Sequence, residues 1–202
     1  MKSVIKSVSP RICEKVANGG CTLLVSKTAP KQVPFKCYIY CTFPKKPAYT
    51  LWLNRGTENK FLADGKVIGE FICDKVERFS VGSLRSDDIQ KLACLSYYEM
   101  ICYFYKPEEL DGKTAKQGFA WHISDLKIYD KPKELSEFYY CCKEMKANEP
   151  RAGKYVSLSC YACRHNALKR TEDYSEYNNM LGYICKRNIT RPPSNWCYVE
   201  EL

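Results

Sequence analysis

The segment Asn18-Gly19-Gly20-Cys21-Thr22-Leu23-Leu24-Val25-Ser26-Lys27-Thr28-Ala29-Pro30 marks the end of a helix and the start of a buried strand. Asn18, Gly19 and Gly20 supply the left-handed geometry that stops a helix, and Leu23, Leu24 and Val25 form a short apolar run of the kind that is extended and buried. The residues before it agree. Ser9 offers an N-cap oxygen and Pro10 suits the first helical position. Ile12, Cys13, Val16 and Ala17 then recur at helical spacing on one face. Residues 18–30 are therefore expected to turn a helix-to-strand corner where polar groups can gather.

On the N-terminal side of this corner, residues 2–8 read as a short first strand. On its C-terminal side, a basic, proline-bounded loop leads to Phe35-Lys36-Cys37-Tyr38-Ile39-Tyr40-Cys41-Thr42. Strict alternation places Phe35, Cys37, Ile39 and Cys41 on one face of a strand, with Lys36, Tyr38, Tyr40 and Thr42 on the other. An apolar patch at residues 49–53 sits between loop-like segments. Asp64-Gly65 is a turn signal before a long strand over 66–79, in which Gly69 predicts a bend or bulge. Ser86 is expected to cap a helix carrying Ile89, Leu92 and Ala93. The capping box Ser96-Tyr97-Tyr98-Glu99 opens another helix to about residue 105. Residues 119–129 form the next strand, broken by Lys131-Pro132, and Leu135 and Phe138 begin a weak helical pattern. Trp196-Cys197-Tyr198-Val199 closes the chain as a strand. Strands outnumber helices without strict βαβ alternation, so the fold class expected is α+β, a small curved antiparallel barrel with short helices.

The 202 residues carry a net charge of +9 and 45% hydrophobic residues. A core can form, and the basic balance favours an anionic partner, nucleic acid first; a solvated lysine surface is the alternative. Residues 1–11 are polar and lack the apolar core of a signal peptide, and no apolar run approaches the roughly 20 residues that span a bilayer. A cytoplasmic location and no membrane partner are expected. Thirteen cysteines in a reducing compartment read as buried thiols or metal ligands rather than a disulfide framework. From residue 141 to about 188 the composition turns polar and charged with interspersed cysteines. The expected organisation is a barrel over 1–140, a cysteine-containing insertion over 141–188, and a closing strand over 189–202.

Several separated pieces, in order, resemble the ASCH family of the PUA-like superfamily. They are the helix ending in Asn18-Gly19, the strand at 35–42, Val67-Ile68-Gly69-Glu70-Phe71, Trp121-His122-Ile123-Ser124-Asp125-Leu126-Lys127-Ile128-Tyr129-Asp130-Lys131-Pro132, and Arg191-Pro192-Pro193-Ser194-Asn195-Trp196-Cys197-Tyr198-Val199. They cover about two thirds of the chain and are most similar to ASCH proteins of phages and prophages of low-GC Gram-positive bacteria. The resemblance implies a barrel with a cleft for RNA, a nucleotide or a modified nucleoside. Some relatives are ribonucleases, and others are amidohydrolases acting on an acylated cytidine. The family hallmark after the helix-ending glycine is Gly-x-Lys-x-x-(Glu or polar)-x-Arg. Here Gly19 fits and Thr22 is kept, but Cys21, Leu24 and Ser26 occupy the lysine, acidic and arginine positions. Glu70 stands where relatives carry a carboxylate. A binding module with a degenerate active-site motif is therefore expected. The alternatives are a hydrolase and a phage accessory protein that binds a host protein or a signalling nucleotide.

The candidate catalytic residues are Glu70, Cys21 and His122. A thiolate needs a lowered pKa, which the C-terminal end of a helix opposes. A strand carboxylate is either cleft-bound or solvent-facing, and His122 is either a general base or a structural hydrogen-bonding group. The candidate binding residues are Thr22, Lys27, Lys36, Tyr38, Tyr40 and Trp121, with Lys31, Lys45 and Lys46 adding charge. Tyrosines alternating with lysine suit stacking beside phosphate. Trp121 and His122 must face opposite sides of their strand. Cys160-Tyr161-Ala162-Cys163 is a half-site for tetrahedral zinc that Cys142 and Cys185 would complete, with His165 nearby; buried free thiols are the other reading. No cofactor is required beyond that structural zinc.

Overall fold

The computed structural model describes residues 1–44, 50–54, 60–106, 109, 115–140 and 189–201. The expected insertion at 141–188, with its zinc candidates Cys142, Cys160, Cys163 and Cys185, lies outside the described residues, as do Lys45 and Lys46.

The chain begins with β1 (Lys2–Val8), α1 (Pro10–Ala17), β2 (Leu23–Ser26) and β3 (Phe35–Cys41). A hairpin of β4 (Trp52–Asn54) and β5 (Lys60–Leu62) follows, then β6 (Val67–Cys73) and β7 (Val76–Ser80). Helices α2 (Leu84–Leu92) and α3 (Tyr97–Phe104) lead to β8 (Gln117–His122), β9 (Ser124–Lys133), β10 (Phe138–Tyr140) and β11 (Trp196–Glu201). Six strands pair in the order β10-β11-β1-β3-β6-β9 and three in the order β2-β8-β7, with β4-β5 separate. Every pairing is antiparallel except β1 with β3. The fold is thus α+β with mostly antiparallel sheets and three α-helices among the described residues. The barrel is not closed: its strands form separate sheets instead of one continuous ladder.

Two long expected strands prove to be two strands each. The segment over 66–79 leaves the six-stranded sheet as β6 and enters the three-stranded sheet as β7, turning at Asp74 and Lys75. The segment over 119–129 does the reverse, from β8 to β9, turning at Ile123 with Asp125 at φ +47°. His122 N–H donates to Lys75 O at 3.0 Å and ties the two corners together. Pro132 does not break β9 as expected. This strand lies at the sheet edge, where a missing N–H costs no ladder bond. Gly69 sits at a register shift between β6 and β9, and a Cβ there would lie 2.4 Å from Lys127 O.

The helix ends follow local chemistry. Helix α1 starts at Pro10, with Ser9 in the N-cap position but its side chain making no capping bond, and stops at Asn18, with Gly19 at φ +71°. The capping box of α3 forms as expected, Ser96 Oγ accepting from Glu99 N–H. Helix α2 starts three residues before the expected cap, at Ser83, so that Ser86 is buried within the first turns while Leu92 is exposed.

Three apolar layers result. Val4, Val8, Leu24, Cys37, Ile39, Phe71 and Trp121 fill the space between the two large sheets, closed by Ile12, Cys13 and Val16 of α1 and by Leu51 and Leu53 beside the hairpin. On the opposite face of the six-stranded sheet, Ile5, Tyr38, Tyr40, Tyr129, Phe138 and Ile189 pack together. Leu23, Val25, Phe79, Ile89, Met100 and Phe104 join the three-stranded sheet to α2 and α3. The alternation of β3 is therefore real, but both of its faces are buried. No described helix is long and apolar enough to cross a membrane.

Candidate functional site

Where β2 and β11 approach without forming a ladder, side chains bridge the gap. Trp196 Nε1 donates to Thr28 Oγ1 at 2.9 Å, and beside the gap Ser7 Oγ of β1 donates to Pro193 O at 2.6 Å. Between these contacts lies a polar cluster centred on Asn195. Its Oδ1 accepts from Lys6 Nζ at 2.8 Å and from Tyr103 O–H at 3.2 Å, while its Nδ2 donates to Ser26 Oγ at 3.0 Å. Because an ammonium can only donate, the Lys6 contact sets which way the Asn195 amide faces.

Each member is delivered by a different element. Lys6 shares a strand face with Val4 and Val8, so the alternation that buries those valines carries the ammonium inward with them. Ser26 shares the face of Leu24 at the end of β2, and Tyr103 comes from the last turn of α3. Asn195 precedes β11, where Ser7 N–H donates to Asn195 O at 2.9 Å. Trp121 is fully buried beside the cluster, in edge-to-face contact with Trp196 and Phe35 at centroid separations of 5.8 Å and 5.1 Å.

Two groups here are energetically unusual. Lys6 is only 3% exposed, and among the described residues no carboxylate lies within 4.0 Å of its Nζ. Its charge is met by the Asn195 amide and by the Trp121 ring, whose centroid is 4.7 Å away. Burial lowers its pKa to about 8, because desolvation disfavours the charged form. The second group is Trp121 Nε1, a buried donor with no hydrogen-bond partner among the described residues. Such groups are rare in folded proteins, since leaving one unpaired costs roughly 1–3 kcal/mol. Burial also raises the Tyr103 phenol, against the lowering effect of bonds to Lys27 N–H and Ser26.

The residues singled out from sequence fall in different layers. Lys27 is exposed at the rim of the cluster, its Nζ 5.5 Å from the Tyr103 ring centroid, and Trp121 lies beside the cluster. Thr22 is exposed at the corner, its N–H bonded to Leu92 O. Glu70, Lys36 and Tyr38 come together on the opposite face of the six-stranded sheet. Glu70 accepts from Tyr129 O–H at 2.6 Å and from Lys36 Nζ at 3.2 Å, and Lys36 Nζ lies 5.4 Å from the Tyr38 ring centroid. Partial burial alone would raise the Glu70 carboxyl, but these two bonds hold it below its ordinary value. Tyr38 and Tyr40 are 3% and 2% exposed, packed in the second apolar layer, and present little ring surface for stacking.

Cys21 is buried in the first layer, its Sγ bonded to Leu23 O at 3.0 Å, and burial pushes its thiol up to about 12. That is the reverse of what a nucleophile needs. His122 Nε2 stands 3.6 Å from Glu77 Oε2, too long for a hydrogen bond. Glu70, Cys21 and His122 are thus not brought together. Among the described residues no group of three or more His, Cys, Asp and Glu is placed to hold a metal ion. The residues that sequence reading missed are Lys6, Ser26, Tyr103, Asn195 and Trp196. The one local signal was Lys6, a lysine flanked by valines at i−2 and i+2 on a strand.

No family model matches the chain, and no curated protein matches it. Among solved structures it is similar to an ASCH protein from Zymomonas mobilis at 18% identity and a TM-score of 0.45, over 66% of this chain and 74% of that one. A tyrosine-to-phenylalanine variant of the same protein gives 16% identity and a TM-score of 0.46, over 67% and 77%. A serine-to-alanine variant gives 18% and 0.46, over 66% and 75%. These solved structures carry the name of the family that the sequence of this chain resembles.

Proposed function

We propose that the chain is a binding module for RNA or a nucleotide, and that recognition centres on Lys6, Asn195, Ser26 and Tyr103 beside Trp121 and Trp196. The observation that carries this reading is the ammonium of Lys6, buried between two sheets without a carboxylate partner. Burying an unpaired charge costs several kcal/mol, and a methionine would fill the same space at less cost. A lysine in that place is accounted for by a ligand that supplies acceptors to its unused N–H groups. The net charge of +9 draws a polyanion to the molecule, and Lys27 stands at the rim of the cluster, its Nζ 5.5 Å from the Tyr103 ring centroid.

Fluorescence anisotropy with a labelled single-stranded RNA at several salt concentrations tests the reading. Affinity is expected to fall as salt rises, with a log–log slope of about −2 for three phosphate contacts on a single strand. Lys6→Met is expected to weaken binding about tenfold. Absence of binding at low salt, or full binding by Lys6→Met, contradicts it.

One observation favours a second reading, hydrolysis. With its pKa lowered to about 8, Lys6 keeps part of its amine neutral near physiological pH and so able to accept a proton from water. Turnover of an acylated nucleoside that rises with pH through about 8 and disappears in Lys6→Met would establish it. Glu70, on the other sheet face, has no part in that chemistry, so Glu70→Gln would leave such turnover unchanged.

A further inference from the structure

The geometry points to a recognition rule inside the proposed nucleic-acid site, on which it rests: Lys6 Nζ and Trp121 Nε1 form a paired-donor subsite that takes the carbonyl oxygen of a nucleobase. Asn195 Oδ1 already receives Lys6 and Tyr103 and lies 3.3 Å from Ser26 Oγ, so it has no free lone pair. Ser26 Oγ accepts from Asn195 Nδ2. Apart from one lone pair of Ser26 Oγ, what remains unused is donors. Lys6 has three N–H bonds, of which one is directed to Asn195, and the Trp121 indole N–H has no partner among the described residues. Both groups are at least nine-tenths buried, and Lys6 Nζ lies over the Trp121 ring itself, 4.7 Å from its centroid.

A ligand completing this site must offer acceptors and no donors at that point. A carbonyl oxygen has two lone pairs and meets two donors with one atom. A phosphate would bring further oxygens that two donors leave unsatisfied away from water. Among the RNA bases, uracil carries two exocyclic oxygens, cytosine and guanine one each, and adenine none.

The test compares uridine and adenosine octamers on the full chain, in matched salt. Both carry the same phosphates, so the counterion contribution cancels. The octamer of uridine is expected to bind about tenfold tighter, the discrimination typical of a well-made base contact. Lys6→Met, which removes the ammonium, and Trp121→Phe, which removes the indole N–H but keeps an aromatic ring, are expected to abolish that preference while leaving a common, salt-dependent affinity. Thermal melting of each variant confirms that it is folded, and Lys6→Met is expected to melt no lower than the parent. Equal affinity for the two octamers, or an unchanged preference in both folded variants, overturns the subsite and leaves the nucleic-acid reading standing. Binding of neither octamer at low salt overturns both.

Discussion

Lys6 Nζ and Asn195 Oδ1 lie 2.8 Å apart across a separation of 189 residues, and this bond joins β1 to the segment that enters β11. It sits at the gap where β2 and β11 form no ladder, so it helps to seal the fold and also forms the floor of the candidate site. Removing the amide in Asn195→Ala leaves an ammonium, a phenol and a hydroxyl without their shared partner. The expected loss is about 3 kcal/mol in urea denaturation. Asn195→Asp keeps the acceptor and adds the missing negative charge, so it is expected to fall within about 1 kcal/mol of the parent. Equal losses in the two variants would mean that Asn195 acts only by packing.

The penalty for burying Lys6 depends on pH, with a definite sign. Its folded pKa of about 8 lies below its ordinary value of 10.5. The unfolded chain therefore binds more protons than the folded one between those values, and this group's destabilisation is relieved as pH rises through that window. Cys37 and Trp121 face the amine from β3 and β8, and Asn195 and Tyr103 complete its surroundings. Lys6→Met is expected to exceed the parent in stability by about 3 kcal/mol at pH 7, less the value of the Asn195 bond. The difference should shrink towards pH 10.5. A constant difference across that range contradicts the lowered pKa.

The buried thiols act in the opposite direction. Burial raises Cys21, Cys73 and Cys197 to about 12 from an ordinary 9.0. The unfolded chain loses those protons first, so their contribution is intact below pH 9 and is lost as pH rises towards 12. Urea midpoints of the parent are expected to fall steeply above pH 9, and replacing Cys73 with alanine should flatten that fall. Alkylation at neutral pH should mark Cys102, which is exposed, well before Cys13 or Cys37, which are fully buried.

Glu70 stabilises the other face of the sheet through Tyr129 and Lys36. Its carboxyl is held below its ordinary value, so this contribution is present above the usual carboxylate range and lost as pH falls through it. Glu70→Gln should cost about 1 kcal/mol at pH 7 and almost nothing at about pH 2.

Gly69 permits β6 and β9 to approach closely. A methyl group there meets a backbone oxygen of Lys127, which no side-chain adjustment relieves. Gly69→Ala should lower stability by about 2 kcal/mol, measured by the urea midpoint; an unchanged midpoint would show that β9 yields.

The parts of this molecule legible in the sequence are those written in local periodicity. Residues 35–41 alternate, and the strand forms with the two faces that alternation assigned. Pro10, Gly19 and the box from Ser96 to Glu99 mark helix ends by chemistry that acts within one turn. The corners at 74–75 and at Ile123 were not legible, because each is turned within one or two residues without a glycine or proline to mark it. The burial of Tyr38 and Tyr40 was hidden for a different reason. It depends on Phe138 and Ile189, about a hundred residues or more away, and a tyrosine on a strand reads equally as surface or core. The candidate site was least legible of all. Lys6, Ser26, Tyr103 and Asn195 share no motif and meet only when four elements assemble, and the glycine corner that drew attention supplies Ser26, the rim lysine Lys27 and Thr28, which holds Trp196.

The central claim is that Lys6 is a buried ammonium awaiting an acceptor from a ligand. Its titration, followed by NMR of the lysine side chain with and without the uridine octamer, tests this most directly. The account predicts a pKa near 8 in the free protein and a clear upward movement when the octamer binds. An ordinary value near 10.5 in the free protein, or a titration that the octamer leaves unmoved, would contradict it.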